Sequence, residues 1–146
     1  MWIHNGKEYT GDEVVSKLAD TESGIVALDG PSGCGKTTII KTLQTTSVKI
    51  VSGEFASAVI KEFERSREDP VNIALRFLEG YEIVCFEDVD LYLKERPSTT
   101  SFIKKTISNL SSNCLVIVSG IDLLNRVPEL ISELNVTYYV WDEKGD

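Results

Sequence analysis

Gly30-Pro31-Ser32-Gly33-Cys34-Gly35-Lys36-Thr37 is the stretch on which the reading of this chain turns. It fits the spacing G-x-x-x-x-G-K-[ST], and each part has a physical task. A polyphosphate packs several negative charges into a small volume. Consecutive backbone N–H groups in a tight loop can point inward and bind it as an anion nest. Gly30, Gly33 and Gly35 are expected to let that backbone curl with positive φ and without a blocking Cβ. A helix starting near Lys36 would aim its N-terminal dipole at the same oxygens. Lys36 supplies a cation for the outer phosphates, and the Thr37 hydroxyl is placed to ligate Mg²⁺. Pro31, Ser32, Cys34 and Thr38 complete the expected nucleotide-binding stretch. The plainer alternative is a glycine-rich turn before an ordinary helix. An apolar strand before the loop and a helix after it are the context that favours phosphate.

Strand-like and helix-like segments alternate on both sides of the loop, which predicts a parallel α/β sheet. On the N-terminal side, Gly11 to Ala19 reads as a helix capped by Thr10 or Asp12, and Gly24 to Leu28 as a buried strand ending in Asp29-Gly30. After the loop, a helix is expected from Lys36 to Leu43, a strand at Val48 to Val51, and a helix from Glu54 to Glu64. Asp69-Pro70 breaks the chain before a short amphipathic helix carrying Val71, Ala74, Leu75 and Leu78. Ile83 to Phe86, Leu115 to Val118 and Val136 to Val140 are the remaining strands, with helices starting at Pro97 and Pro128 between them. Continuous apolar runs are what strands buried on both faces look like. The expectation is therefore a three-layer α/β/α sandwich around a five-stranded, mainly parallel sheet. Its organisation is read as one domain over residues 1–146, with an N-terminal arm and helix (1–23), a core (24–140) and a tail (141–146).

The third strand candidate runs into Glu87-Asp88-Val89-Asp90. Parallel strands present their carboxyl ends to the ligand crevice, which is expected to put these acids on the nucleotide side. One carboxylate can hold Mg²⁺, which keeps several waters, and a neighbour can orient an attacking water. A solvated acidic turn is the alternative. Ser119 ends the next strand, where a hydroxyl is expected to bond a terminal phosphate or that water, an ordinary turn serine being the alternative. Cys34 lies inside the loop. A helix N-terminus lowers a thiol pKa, so its oxidation or alkylation would block nucleotide, but a tolerated small side chain is the preferred reading.

Composition narrows the partners. The 146 residues carry a formal charge of −8 and no dense Lys/Arg run, which argues against direct nucleic-acid binding. Cys34, Cys85 and Cys114 are an odd set without C-x-x-C spacing, and His4 is the one histidine, so disulfide frameworks, zinc sites and histidine triads are disfavoured. No apolar run approaches bilayer-spanning length and Met1 to Gly6 lacks the features of a signal peptide, so a cytoplasmic protein with no membrane contact is expected.

The order of these parts resembles the AAA+ ATPases, and the DnaA initiator and loader group in particular. Gly30–Thr37 looks like a Walker A motif, Val84-Cys85-Phe86-Glu87-Asp88-Val89-Asp90 resembles Walker B, and Val116-Ile117-Val118-Ser119 is similar to the sensor 1 strand. Val51-Ser52-Gly53-Glu54-Phe55 resembles that group's step from second strand to helix. The likeness covers Gly24 to Val140. It implies a P-loop core of the ASCE class with strand order 5-1-4-3-2, binding ATP with Mg²⁺. It assigns Lys36 to the phosphates, Thr37 with Glu87 and Asp88 to magnesium, Asp88 to the lytic water and Ser119 to sensing. Glu87 stands where the family has Asp, and Asp88 where it has Glu or Asp, so hydrolysis is expected to be slow. The helical lid and its arginine are expected to be absent, and Leu130-Ile131-Ser132-Glu133-Leu134 holds no arginine finger; Arg126 lies one helix earlier. Trp2, Ile3, His4 and Tyr9 are placed either to stack on adenine or to pin an N-terminal arm.

The functional expectation is a slow Mg²⁺-dependent ATPase that binds ATP and ADP, with its nucleotide state controlling contact with an AAA+-type partner or a second copy. Two alternatives stand beside it. One is a switch module that binds nucleotide without turnover. The other is a small P-loop kinase, with Arg65 and Arg67 as candidates for a phosphate lid.

Overall fold

The computed structural model describes residues 1–43, 47–51 and 53–143. Ser52 and residues 144–146 of the expected tail lie outside the described residues. The chain runs β1 (Trp2–His4), β2 (Lys7–Tyr9), α1 (Gly11–Ala19), β3 (Gly24–Asp29), α2 (Lys36–Leu43), β4 (Val48–Val51), α3 (Gly53–Ser66), α4 (Pro70–Leu78), β5 (Ile83–Phe86), α5 (Val89–Glu95), a 3₁₀ turn (Pro97–Thr99), α6 (Thr100–Leu110), β6 (Leu115–Gly120), α7 (Leu123–Arg126), α8 (Pro128–Ser132) and β7 (Val136–Trp141).

Among the described residues the sheet has seven strands, in the order β2-β1-β7-β3-β6-β5-β4. Five of them, β7-β3-β6-β5-β4, are parallel and keep the expected 5-1-4-3-2 order. The other two correct the expected count. The N-terminal arm is a hairpin whose β1 pairs antiparallel with β7, Trp2 opposite Trp141 and Ile3 opposite Val140. Its two-residue turn is Asn5-Gly6, with φ of 51° and 76°. Positive φ at both central residues is the twist-matched hairpin turn that Asn-Gly favours. The hairpin also covers the ladder edge that β7 would otherwise expose.

Alternate residues of the parallel strands feed two apolar layers. Val26, Leu28, Cys85, Leu115 and Ile117 face α1 and α2, meeting Val14, Leu18, Ile39 and Ile40. Ile25, Ala27, Val84, Phe86, Val116 and Val118 face the other side, against Ile103, Ile107, Leu123 and Leu130. This is the three-layer sandwich. Local signals set several helix starts. Thr10 caps α1 in a capping box with Glu13, the two bonds being 3.1 and 3.0 Å. Asp69 caps α4 through the Val71 N–H at 2.8 Å, with Pro70 in the first turn. The helix expected at Pro97 opens with a 3₁₀ turn and becomes α-helical at Thr100.

Candidate active site: the phosphate loop and the acidic turn

β3 delivers the chain to the loop and α2 carries it away. Gly33 and Gly35 adopt φ of 83° and 106°, in the left-handed region where L side chains are strained. Gly30 does not share that conformation, so the expectation of positive φ fails there. It is needed for space instead: a Cβ would sit 2.7 Å from Cys34 Sγ and 2.8 Å from Trp141 Cβ. Pro31, Ser32 and Gly33 are exposed at the tip, and Thr37 and Thr38 are exposed in the first turn of α2. The Lys36 ammonium donates to Gly30 O and, at 3.1 Å, to Gly120 O at the end of β6. One cation thus spans the loop and the adjacent strand end. The Cys34 thiol is pushed up by partial burial, which outweighs the pull of Lys36 and the loop N–H groups.

Glu87 and Asp88 follow β5 on the same edge of the sheet. Asp88 is exposed and has left-handed backbone, φ 52° and ψ 43°, as the residue before α5. Partial burial raises the Glu87 carboxyl, the Asp88 charge raises it further, and Lys41 on α2 opposes both. Asp90 departs from expectation. Its carboxylate is buried, one oxygen accepts from Arg126 Nη1 at 3.0 Å, and the other has no hydrogen-bond partner. It sits under the β6 end, where a Cβ on Gly120 would come within 2.4 Å of Asp90 Oδ1. Asp90 therefore serves packing and Arg126, not the crevice. Sequence reasoning missed α5 because the Glu87–Asp90 stretch reads as a turn.

Two side chains tie these halves together. Ser119 is buried, and its Oγ accepts from the Asp88 N–H at 3.4 Å. Asp29, the last residue of β3, is in sequence only a strand end. Its buried carboxylate accepts from the Asp122 N–H at 2.8 Å, the Leu123 N–H at 3.0 Å and the Tyr138 hydroxyl. Burial and Asp29 together push the Tyr138 hydroxyl far above the usual phenol range. The available signal was an acid closing an otherwise wholly apolar strand.

A family model described as the ATPase family associated with various cellular activities (AAA) matches residues 26–137. The chain belongs to the AAA family. This AAA chain is also similar to domain III of the Thermotoga maritima replication initiation protein DnaA, at TM-score 0.61 and 14% identity, covering 88% of this chain and 58% of that one. It is similar to AMPPCP-bound DnaA from Aquifex aeolicus at TM-score 0.53 and 15% identity, over 92% of this chain and 45% of that one. A replication initiator DnaA bound to AMPPCP and single-stranded DNA matches at TM-score 0.55 and 15% identity, over 90% and 44%. Such identities show the fold. The AAA chain spans about half the length of these structures. No curated protein sequence matches it.

The remaining candidates fall away from the crevice or onto its rim. His4 Nδ1 lies 2.9 Å from Tyr138 O, Tyr9 packs edge-on against Tyr139, and Trp2 packs edge-on against Trp141, so the aromatics pin the hairpin to this AAA core. Trp2 also borders a cavity of about 220 Å³ beside the loop, lined by Asp12, Val15, Gly35, Thr38 and Trp141 among others. Arg65 is paired with Glu62, and Arg67 lies 5.7 Å over the Phe63 ring, which makes them a solvated helix end and not a phosphate lid. Among the described residues no cluster of three His, Cys, Asp or Glu could hold a metal by itself. The hard oxygens of Thr37, Glu87 and Asp88 suit a Mg²⁺ that keeps waters and takes its other ligands from phosphate. Among the described residues no helix is long and apolar enough to cross a membrane.

Proposed function

We propose that this AAA chain binds ATP and ADP at Gly30–Thr38 and is a slow Mg²⁺-dependent ATPase whose nucleotide state controls a protein contact. The loop N–H groups and the α2 N-terminus hold the phosphates, and Lys36 neutralises the outer ones. Thr37 with Glu87 and Asp88 would hold Mg²⁺, whose chemistry is to offset charge on the phosphate oxygens. Asp88 is assigned to orienting the attacking water, because it is exposed at the strand end while Glu87 is partly buried. The cavity of about 220 Å³ beside Gly35 is assigned to the base. We read residues 1–146 as one nucleotide-binding domain. With its three cysteines outside any disulfide, it suits a reducing, cytoplasmic setting. The partner is a second copy or another AAA+ protein. One structural relative is a DnaA bound to single-stranded DNA, but the charge of −8 argues against that ligand here.

The observation that carries this reading is the left-handed backbone of Gly33 and Gly35 beside a lysine whose ammonium already bridges the loop and the next strand end. Lys36→Ala is expected to weaken MgATP binding by about 100-fold, the loss of a charged group that makes several hydrogen bonds. Calorimetry on the purified variant checks it, and equal affinity for wild type and variant sinks the proposal.

A switch without turnover is the second reading. It is favoured by Arg126 being committed to Asp90 and by Ser119 being committed to backbone. Phosphate release, with the Lys36→Ala variant as the contamination control, separates the two readings.

A further inference from the structure

The end of β6 and the turn after it face in two directions. Ser119 holds the Asp88 N–H. Gly120 O accepts both the Gly30 N–H, at 3.1 Å, and the Lys36 ammonium. Asp122 and Leu123 donate their N–H groups to Asp29, the residue just before the phosphate loop. On one side, therefore, the 119–123 turn is fastened to the loop by a carboxylate, a backbone bond and a cation. On the other side it holds the acidic turn by one hydroxyl and by the close approach of Gly120 to Asp90 Oδ1.

The same turn geometry repeats along this edge. Asp88 and Asp122 both take left-handed backbone (φ 52°, ψ 43° and φ 54°, ψ 47°), and both immediately precede a helix. Neither side chain caps its own helix. In each case a polar side chain at the end of the neighbouring strand satisfies the N–H group instead: Asp29 for Asp122, Ser119 for Asp88. Helix starts leave such N–H groups without intrahelical partners, so an acceptor from outside fixes where the turn sits. The two rungs step from β3 to β6 to β5, which are neighbours in the sheet. Asp29 makes three hydrogen bonds as a buried carboxylate and would leave donors unsatisfied if altered, which makes its rung stiff. The Ser119 rung, at 3.4 Å, is the longer one.

We propose that the 119–123 turn is a junction that sets the Asp88 carboxylate from the phosphate loop, with Asp29 and Ser119 as its positioning residues. Neither touches nucleotide in this scheme. Asp29 fixes the turn against the loop, and Ser119 passes that position to the Asp88 backbone. A polyphosphate that draws Lys36 from Gly120 O acts on the same turn. The inference rests on the nucleotide-binding reading above and replaces direct phosphate sensing by Ser119.

The test compares Ser119→Ala, Ser119→Thr and Asp29→Asn in the full chain, by NMR-detected amide exchange and by ATP affinity with and without Mg²⁺. In Ser119→Ala the Asp88 amide is expected to lose protection by about tenfold, the worth of one hydrogen bond. MgATP affinity falls with it, while affinity for metal-free ATP holds. Ser119→Thr, which keeps the hydroxyl, restores both. In Asp29→Asn, one amide oxygen faces three donors, so protection falls at Asp122 and Leu123 and also at Asp88, which Asp29 does not touch. An Asp88 amide indifferent to Asp29→Asn, or equal losses with and without Mg²⁺ in Ser119→Ala, overturns the inference. If Asp29→Asn does not fold, the Ser119 pair decides alone. A wild-type chain that binds no nucleotide overturns the nucleotide-binding reading and this inference with it. A wild type that binds, beside variants that behave as merely destabilised, overturns this inference only.

Discussion

Half of residues 30–35 are glycine, whereas residues 87–90 carry three carboxylates on a turn with a non-glycine residue in left-handed backbone. The first region draws its curvature from its own glycines: Gly33 and Gly35 permit the φ values, while Gly120 O and Trp141 border its Gly30 end. The second borrows its shape. Asp88 at φ 52° is conformationally costly for an L residue, by about 1 kcal/mol, though aspartate tolerates it better than most. It persists because Ser119 takes its N–H and because Gly120 leaves room for Asp90 beneath. A phosphate cradle can thus be carried by a short motif, while the acids that face it must be aimed by another strand.

Gly120→Ala removes the space on which the acidic turn depends. The new Cβ would lie 2.4 Å from Asp90 Oδ1 and 2.6 Å from Leu123 Cδ2, so these two buried side chains have to shift. A loss of about 3 kcal/mol in urea unfolding is expected, at the upper end of overpacking costs. An unchanged midpoint would mean that the acidic turn is as self-sufficient as the loop.

Gly35→Ala attacks the other half and is expected to cost less in stability, about 1–2 kcal/mol, because φ 106° is strained but nothing lies within 4 Å of the new methyl. Its damage should fall on nucleotide affinity, with amide exchange around Asp88 unaltered. Exchange changes at both sites would show that the loop is less local than its geometry suggests.

The same contrast explains what could be read in advance. The loop was legible because its constraints are consecutive: three glycines, Lys36 and Thr37, after an apolar strand. The five parallel strands were legible as apolar runs. The hairpin was not legible: Asn5-Gly6 is a turn signal, but the strands beside it are three residues each and show little alternation. The acidic turn was legible only as composition. That Asp90 turns inward to Arg126, 36 positions away, and that Ser119 serves Asp88, 31 positions away, depends on pairing β5 with β6. Asp29 looked like a strand end because its donors come from residues 122, 123 and 138.

Asp88→Gly removes the strained residue of the acidic turn itself. Glycine adopts left-handed backbone without penalty, so relief of strain is expected to stabilise the fold slightly, by about 0.5 kcal/mol after the entropy that glycine adds to the unfolded chain. Phosphate release should be lost at the same time. A stabilised, inactive variant would identify the turn as strain kept for the carboxylate it presents. A destabilised one would mean that the Asp88 side chain supports the fold.

The smallest effect is a pH dependence confined to the acidic half, since residues 30–35 hold no carboxylate. Glu87 is raised in the folded protein, first by partial burial and then by Asp88, so the folded state holds that proton more tightly than the unfolded chain does. Its contribution to stability is therefore full below the unfolded glutamate value and is lost as pH rises through the folded one. Glu87→Gln, neutral throughout, should match wild type in acid and exceed it slightly near neutrality, when melting is followed from about pH 4 to about pH 7. Mg²⁺ with ATP must take the carboxylate deprotonated, so it should favour the ionised form and narrow the gap between the two proteins near neutrality. A gap that ignores Mg²⁺ would leave Glu87 as a burial effect alone and shift the metal's protein ligands to Thr37 and Asp88.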